Sequence, residues 1–259
     1  MRSDPATSPR RTTGTRRSVG ARLVASIRPC LRTSFVSGTG VLIVVFGVPA
    51  LIVAALLFIL RSVDPPGSTL IWSQQIAGAE IDRRWMPLSS ISPNLVRAVI
   101  ASEDNRFCFH NGVDLKELEA VIEQAETAGE DASRGGSTIT MQVAKNLFLW
   151  NSRSYVRKAI EIPIAYGIDA IWPKARVMEV YLNIAEWGPG IFGAEAAAQR
   201  YFRKSARNLT EREAALLAVA LPNPSLRVPN QPSQRMLRLA SVVERRARLV
   251  GNRAACALR

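Results

Sequence analysis

The chain has 259 residues, 47% of them hydrophobic, and a formal net charge of +13. That length holds one ordinary domain with extensions, and the apolar content is below that of a polytopic membrane protein. The charge asks for an anionic partner: nucleic acid, a phospholipid surface or a phosphorylated substrate.

Basic residues crowd both ends. Residues 1–32 hold eight Arg and only Asp4, and the stretch from Arg227 onward holds eight Arg and only Glu244. No zinc-finger spacing, Arg/Gly repeat or aromatic-interleaved basic strand accompanies them, so nucleic acid is not the expected partner. Residues 1–36, rich in Arg, Ser, Thr and Gly, read as a disordered basic arm able to hold an anionic inner leaflet.

From Val41 to Leu60 every residue is apolar apart from Gly47 and Pro49, and no charge lies between Arg32 and Arg61. Twenty helical residues at about 1.5 Å each cover the roughly 30 Å hydrocarbon core, which predicts a transmembrane helix over 37–60. The basic arm holds the N-terminus in the cytoplasm and sends the remainder outside. A cleaved signal peptide is the alternative, but its apolar run is shorter, about 7–15 residues. Residues 61–85, with Pro65, Pro66 and Gly67, read as a linker or docking segment.

Beyond residue 85 helical patterns dominate. Pro93 opens a helix that runs through apolar residues to Glu103. Asp114 and Glu117 form a capping pattern for the next, carrying Leu115, Leu118, Val121 and Ile122. Gly135-Gly136-Ser137 opens another, through Val143 and Leu147. Ile160, Ile164, Ile168 and Ile171 mark an apolar stripe interrupted by Pro163. Pro173 starts a helix with Val177, Met178, Val180 and Tyr181, and Ala194–Phe202 follows. Thr210 with Glu213 caps a helix stopped by Pro222. Residues 234–250 form an Arg-rich amphipathic helix, and 251–259 a tail. About eight short helices predict an all-α domain over 86–250, large enough for a real core. Cys30, Cys108 and Cys256 lack metal spacing and are too few for a disulfide framework; Cys108 and Cys256 could pair outside the membrane, but small buried thiols are the default expectation.

Three blocks carry chemistry. In the first, an apolar helix ends at Glu103 and Asp104, followed by Phe107, Phe109 and His110, the single histidine. A carboxylate at the negative pole of an apolar helix has a raised pKa and accepts protons better near neutrality. A plain solvated helix end is the competing reading. In the second, Arg134 to Thr140 presents glycines and hydroxyls at a helix start, where free backbone N–H groups suit an anion, with Gln142 and Lys145 following; a flexible turn with Ser137 as helix cap is the competing reading. The third holds Arg153, Arg157, Lys158 and Glu161. Three cations and one acid suit a diphosphate, although Arg157 and Glu161 could equally be a surface pair.

These blocks resemble the peptidoglycan glycosyltransferases of glycosyltransferase family 51. The pattern Glu-Asp-x-x-Phe-x-x-His-x-Gly-x-Asp is similar to Glu103, Asp104, Phe107, His110, Gly112 and Asp114. Gly-x-Ser-Thr-Ile-x-Gln-Gln is similar to Gly135–Gln142, with Met141 in place of the first Gln. Arg-Lys-x-x-Glu matches Arg157, Lys158 and Glu161. Lys174–Asn183 and Ala197–Phe202 resemble the fourth and fifth blocks. No Ser-x-x-Lys or Lys-Thr-Gly occurs, so the resemblance is to the monofunctional biosynthetic transglycosylases rather than to enzymes with a transpeptidase domain.

The resemblance implies a lysozyme-like helical glycosyltransferase domain that polymerises lipid II into β-1,4-linked strands with inversion and release of undecaprenyl diphosphate. Glu103 is implied as general base, and Glu161 as organiser of the cations or acceptor. Lys145 and Arg153 are implied to neutralise the leaving diphosphate, with Arg157 and Lys158 beside them. Ser137, Thr138 and Gln142 are implied to line the donor site. No cofactor is required by that chemistry; a divalent cation, Mg or Mn, could assist, but no carboxylate cluster has clear ligand spacing. Implied partners are lipid II, the lipid-linked strand, the bilayer and other cell-wall synthesis or division proteins. The implied location is the bacterial inner membrane, single-pass, with a periplasmic catalytic domain. A lysozyme-like glycosidase competes, but hydrolysis needs a protonated acid and no cation cluster. So does a non-catalytic anchored scaffold.

Overall fold

A computed structural model describes residues 43–128, 136–150, 152 and 154–258. The basic arm, Cys30, Arg134, Gly135 and Arg153 lie outside the described residues.

The described part of the apolar run is a π-helical turn, Ile43–Gly47, followed by α1, Val48–Leu60. Residues 37–42 of the expected span lie outside the described residues. Among those described, no helix is long and apolar enough to cross a membrane. Most of α1 is exposed, including Leu51, Phe58 and Ile59. Its last turn is buried at Leu57 and Leu60 and tied down: Trp172 Nε1 donates to the Leu57 carbonyl at 2.7 Å, and Arg176 donates to those of Leu60 and Val63.

The segment after it is built into the fold. Helix α2, Thr69–Ile76, is capped by Ser68. Thr69 Oγ1 lies 2.9 Å from the Asn146 carbonyl and 2.6 Å from that of Leu149. Strand β1, Asp82–Arg83, runs parallel to β3, Ile191–Phe192, which pairs antiparallel with β2, Glu186–Gly188. This small sheet, in the order β1-β3-β2, adds strands to a chain expected to be all-α. Its strands are too short to show an alternating pattern.

The remaining helices are α3 (Pro93–Glu103), α4 (Leu115–Ala128), α5 (Ile139–Phe148), α6 (Tyr155–Ile171), α7 (Lys174–Ile184), α8 (Ala194–Phe202), α9 (Glu211–Ala220), α10 (Gln234–Val250) and the short α11 (Ala255–Leu258). Local chemistry places most of their ends. Pro93 sits in the first turn of α3 behind the Ser92 cap, and Thr210 with Glu213 closes a reciprocal capping box on α9. The Asp114 carboxylate accepts from the Glu117 N–H at the start of α4. Helix α5 is capped by Thr138 and not by Ser137, because the Thr138 hydroxyl accepts from the Met141 N–H.

The core is a helix-on-helix stack in which α9 packs against α3 and α10, and α5 packs against α6 and α7. Leu95, Ile100, Phe107, Met178, Leu182, Trp187 and Leu217 are fully buried there. The isoleucine stripe of α6 forms only part of its buried face. Ile168 is fully buried and Ile164 and Ile171 pack against the core, but Ile160 is exposed, and Glu161 and Ala165 share the inward face, which therefore carries an acid. Pro163 sits inside this helix without ending it.

Cys108 and Cys256 form a disulfide, with Cα atoms 5.8 Å apart, against the expectation of separate thiols. The pairing follows from packing: α11 and the 3₁₀ turn Gly251–Ala254 lie against the 3₁₀ turn Phe107–Phe109, a proximity that 148 residues of separation conceal.

Candidate active site

Glu103 is the last residue of α3, and its carboxylate points towards α5. Gln142 Nε2 donates to Glu103 Oε2 at 3.1 Å, and Ser102 Oγ donates to Oε1 at 3.3 Å. Gln142 is itself held by the buried Tyr181 of α7, whose hydroxyl donates to Gln142 Oε1 at 3.1 Å. This order leaves the amide only its N–H₂ to offer Glu103. Burial pushes the Glu103 carboxyl above its ordinary value of 4.5; the bonds from Gln142 and Ser102 and the charge of Arg227 oppose that, and Asp104 adds to it. Burial, with Glu103 and Asp104 nearby, also pushes the Tyr181 phenol well above 10.0, which keeps it a donor.

Asp104 turns away from this pair. Its two carboxylate oxygens each lie 3.0 Å from His110 Nε2, and Oδ2 accepts the Ile139 N–H at the start of α5. Asp104 and His110 therefore latch the end of α3 to the beginning of α5. Lys174 completes the frame: its ammonium donates to the His110 carbonyl at 2.8 Å, pairs with Asp169 at 2.6 Å and lies over the Phe107 ring at 4.7 Å. Gly112, at φ +82°, threads this block past α6, where a Cβ would meet the Ala165 carbonyl at 2.5 Å. Its own carbonyl accepts from Thr138 Oγ1 at 2.5 Å.

Glu161 of α6 forms the second half of the site. It is 1% exposed and binds two cations, Arg157 Nη1 through one oxygen and Lys158 Nζ at 3.0 Å through the other. Lys158 Nζ also lies 3.3 Å from Ser137 Oγ and 4.0 Å from Met141 Sδ. Met141 is thus a fully buried core residue, which accommodates the missing amide at that position without an orphaned polar atom.

Lys145, on α5, stands between the two acids electrostatically. It is half-buried and, among the described residues, in no ion pair. Burial pulls its ammonium below 10.5, Glu161 and Glu103 raise it, and Arg157 and Lys158 lower it. A partly desolvated cation outside any ion pair keeps its charge available to an anion.

The fold therefore brings together Glu103, Gln142, Lys145, Ser137, Thr138, Arg157, Lys158 and Glu161, while Arg153 is outside the described residues. Tyr181, Lys174 and Arg227 were not expected from sequence. Tyr181 and Lys174 sit within the fourth resembling block, which was the available signal; Arg227 had none. Among the described residues no group of three His, Cys, Asp or Glu side chains is placed to hold a metal. A groove of about 690 Å³, lined by Leu88, Ile91, Arg176, Glu179, Arg207 and Leu258 among others, contains none of the site residues.

Comparison with known proteins adds to the geometry. The sequence pattern of the transglycosylase family matches residues 71–251. A protein of Agrobacterium fabrum named biosynthetic peptidoglycan transglycosylase is 52% identical over 193 residues, covering 74% of this chain and 84% of its own. Proteins of the same name from Rhizobium etli and Rhodospirillum centenum are 50% and 51% identical over 216 and 202 residues, covering 82% and 78% of this chain and 92% and 87% of theirs.

Proposed function

This chain belongs to the transglycosylase family, and on that footing we propose how its residues divide the work of glycan-strand polymerisation. It is a peptidoglycan glycosyltransferase, acting at the cell envelope on lipid II and glycan strands. In the proposed reaction Glu103 takes the proton from the 4-hydroxyl of the acceptor GlcNAc. The freed oxygen attacks the anomeric carbon of the lipid-linked strand, a β-1,4 bond forms with inversion, and undecaprenyl diphosphate departs.

The observation that carries this reading is the asymmetry of the two acids. Glu103 has neutral hydrogen-bond donors and a raised pKa, as suits a base working near neutrality. Glu161 is committed to Arg157 and Lys158 and orders a cationic wall beside Lys145. A diphosphate is already a good leaving group, so it gains more from fixed positive charge than from a proton. Ser137, Gln142 and Arg153 complete the donor side, and Thr138, buried with its hydroxyl bonded to Gly112 and Met141, shapes that side as the cap of α5. These side chains supply the charge themselves, so no cofactor enters the scheme; assays with and without Mg²⁺ or Mn²⁺ test that.

The exposed apolar surface of α1 supports its role as the outer end of a single-pass anchor in the inner membrane, with the N-terminus cytoplasmic. The Cys108–Cys256 disulfide supports a periplasmic domain, since such bonds persist in oxidising compartments. Other wall-synthesis or division proteins remain proposed partners.

The test is polymerisation of purified lipid II. Glu103→Gln and Lys145→Ala are each expected to lower the rate at least about 100-fold, the low end of general-base effects. Near-normal polymerisation by Glu103→Gln would remove the base assignment. Release of sugars from finished wall by the wild type, without polymer, would instead favour a glycosidase, for which a raised carboxyl pKa also suits a general acid.

A further inference from the structure

Helices α3 and α9 run side by side. Their N-terminal ends are tied together: Ser92 N donates to the Ala206 carbonyl, and Ser92 Oγ and Asn94 Nδ2 both donate to that of Leu209, at 3.0 and 3.1 Å. With eleven and ten residues they are nearly equal in length, so their C-terminal ends, Glu103 and Ala220, emerge at the same end of the stack. Beyond Ala220 the chain turns through Asn223, whose carbonyl accepts from the Leu226 and Arg227 N–H groups. The Arg227 side chain folds back, and Nη1 donates to the Val219 carbonyl at 2.7 Å. That carbonyl belongs to the last turn of α9, where a cation is favoured.

Arg227 is half-buried, and among the described residues no carboxylate pairs with it. Held at the C-terminal end of α9, it lies at the end of the stack from which Glu103 emerges, where its charge favours the ionised Glu103 carboxylate. The other charges acting there are Asp104 from the same helix end and Lys145 from α5. The Tyr181 phenol of α7 also lies near Glu103 and Asp104, whose charges act on it. The charged residues of α9 engage elsewhere: Glu213 with Lys204, and Arg212 and Glu211 with Glu244 and Arg248 of α10. Arg253, in the 3₁₀ turn packed on α3, is exposed.

Lys145 cannot serve Glu103 throughout the reaction. Once a diphosphate binds, its negative charge neutralises the ammonium and itself repels the carboxylate. A guanidinium stays charged at every working pH and, bonded to a backbone carbonyl, stays where it is. We propose that Arg227 is a positioning residue for the transfer reaction: a fixed cation at the end of α9 that keeps Glu103 ionised while Lys145 is occupied by the leaving diphosphate. The inference rests on Glu103 being the base.

Lipid II polymerisation by the full chain, followed across pH, tests it with three variants. Arg227→Gln retains a donor for the Val219 carbonyl but loses the charge, and Arg227→Lys retains the charge. Removing a cation raises a carboxyl pKa, so Arg227→Gln is expected to move the acid limb of the rate profile to higher pH. The loss below that limb is about three- to tenfold, equivalent to half to one pH unit, with recovery towards the wild-type rate above it. The shift should be larger in kcat, which reports the substrate complex, than in kcat/KM, which reports the free enzyme. Arg227→Lys should leave the limb in place. Equal loss at all pH values in both variants, with a lowered melting temperature, would mean Arg227 only caps α9; a raised KM with an unmoved limb would mean it binds acceptor. Either result overturns the proposal. Glu103→Gln run alongside keeps the cases apart. If it polymerises normally the base assignment itself falls, and if it is inactive while the Arg227→Gln limb stays put, only the role of Arg227 falls.

Discussion

Two glutamates, Glu103 half-buried at the end of α3 and Glu161 buried in the second turn of α6, have the same side chain and opposite surroundings. Glu103 accepts from an amide and a hydroxyl and keeps its cations at a distance. Glu161 is gripped by Arg157 and Lys158. Burial alone does not decide what a carboxylate does. Neutral partners leave it able to exchange a proton, whereas paired cations make it a brace.

The comparison predicts opposite outcomes for the two acids. Glu103→Gln should lose about 10²–10⁴-fold in polymerisation rate while melting no lower than wild type. The sign follows from linkage. Between 4.5 and its raised folded value, Glu103 binds its proton more tightly in the folded protein, so stability falls as pH rises through that window. An amide has no proton to lose and escapes the penalty. Glu161→Ala, in contrast, leaves two half-buried cations without their acid and should cost about 1–3 kcal/mol in chemical denaturation, below the range for a fully buried pair. An inactive but fully stable Glu161→Ala would break the contrast.

Comparable in size is the disulfide, which ties the turn just after Glu103 to the C-terminal segment. Reduction, or the double substitution Cys108→Ser and Cys256→Ser, should lower unfolding free energy by about 2–4 kcal/mol. Because Asp104 and Lys174 hold the same turn independently, the loss should appear in stability before it appears in rate at low temperature.

The pH profile of kcat/KM sharpens the comparison further. Its acid limb should lie above 4.5, since Glu103 as the proposed base works ionised and burial raises it. Its alkaline limb should lie below 10.5, since Lys145 as the proposed diphosphate partner works charged and burial lowers it. A bell narrower than these two free values on both sides is the expected curve; a limb at either free value would separate that residue from the rate. The smallest effect is expected from Tyr181→Phe. Losing one hydrogen bond to Gln142, worth about 0.5–1.5 kcal/mol, should slow polymerisation roughly three- to tenfold by freeing the amide to rotate.

Much of the scaffold is legible along the chain because helix ends are written within four residues. Pro93 behind Ser92, Thr210 with Glu213, and Asp114 with Glu117 each act across a single turn. The chemical blocks are legible too, since Glu103, Gln142, Lys145, Arg157, Lys158 and Glu161 occupy recognisable patterns. Where local patterning misled, tertiary packing had overridden it. In α6 Ile160 is turned out while Glu161 takes a place on the buried face, and Thr138 rather than Ser137 caps α5, its hydroxyl also reaching Gly112.

By itself the sequence determined the helical class, the apolar run and the presence of two acids with a cationic cluster between them. Only the tertiary structure decided which acid stays free of salt bridges. The partners that settle this lie far along the chain: Gln142 is 39 residues from Glu103, and Tyr181 another 39 beyond. Cys256 is 148 residues from Cys108, and Arg227 lies at the same end of the stack as Glu103 only because α3 and α9 share a direction. Hydrogen bonds and charges act through space over a few ångströms, and a sequence orders residues only along the chain.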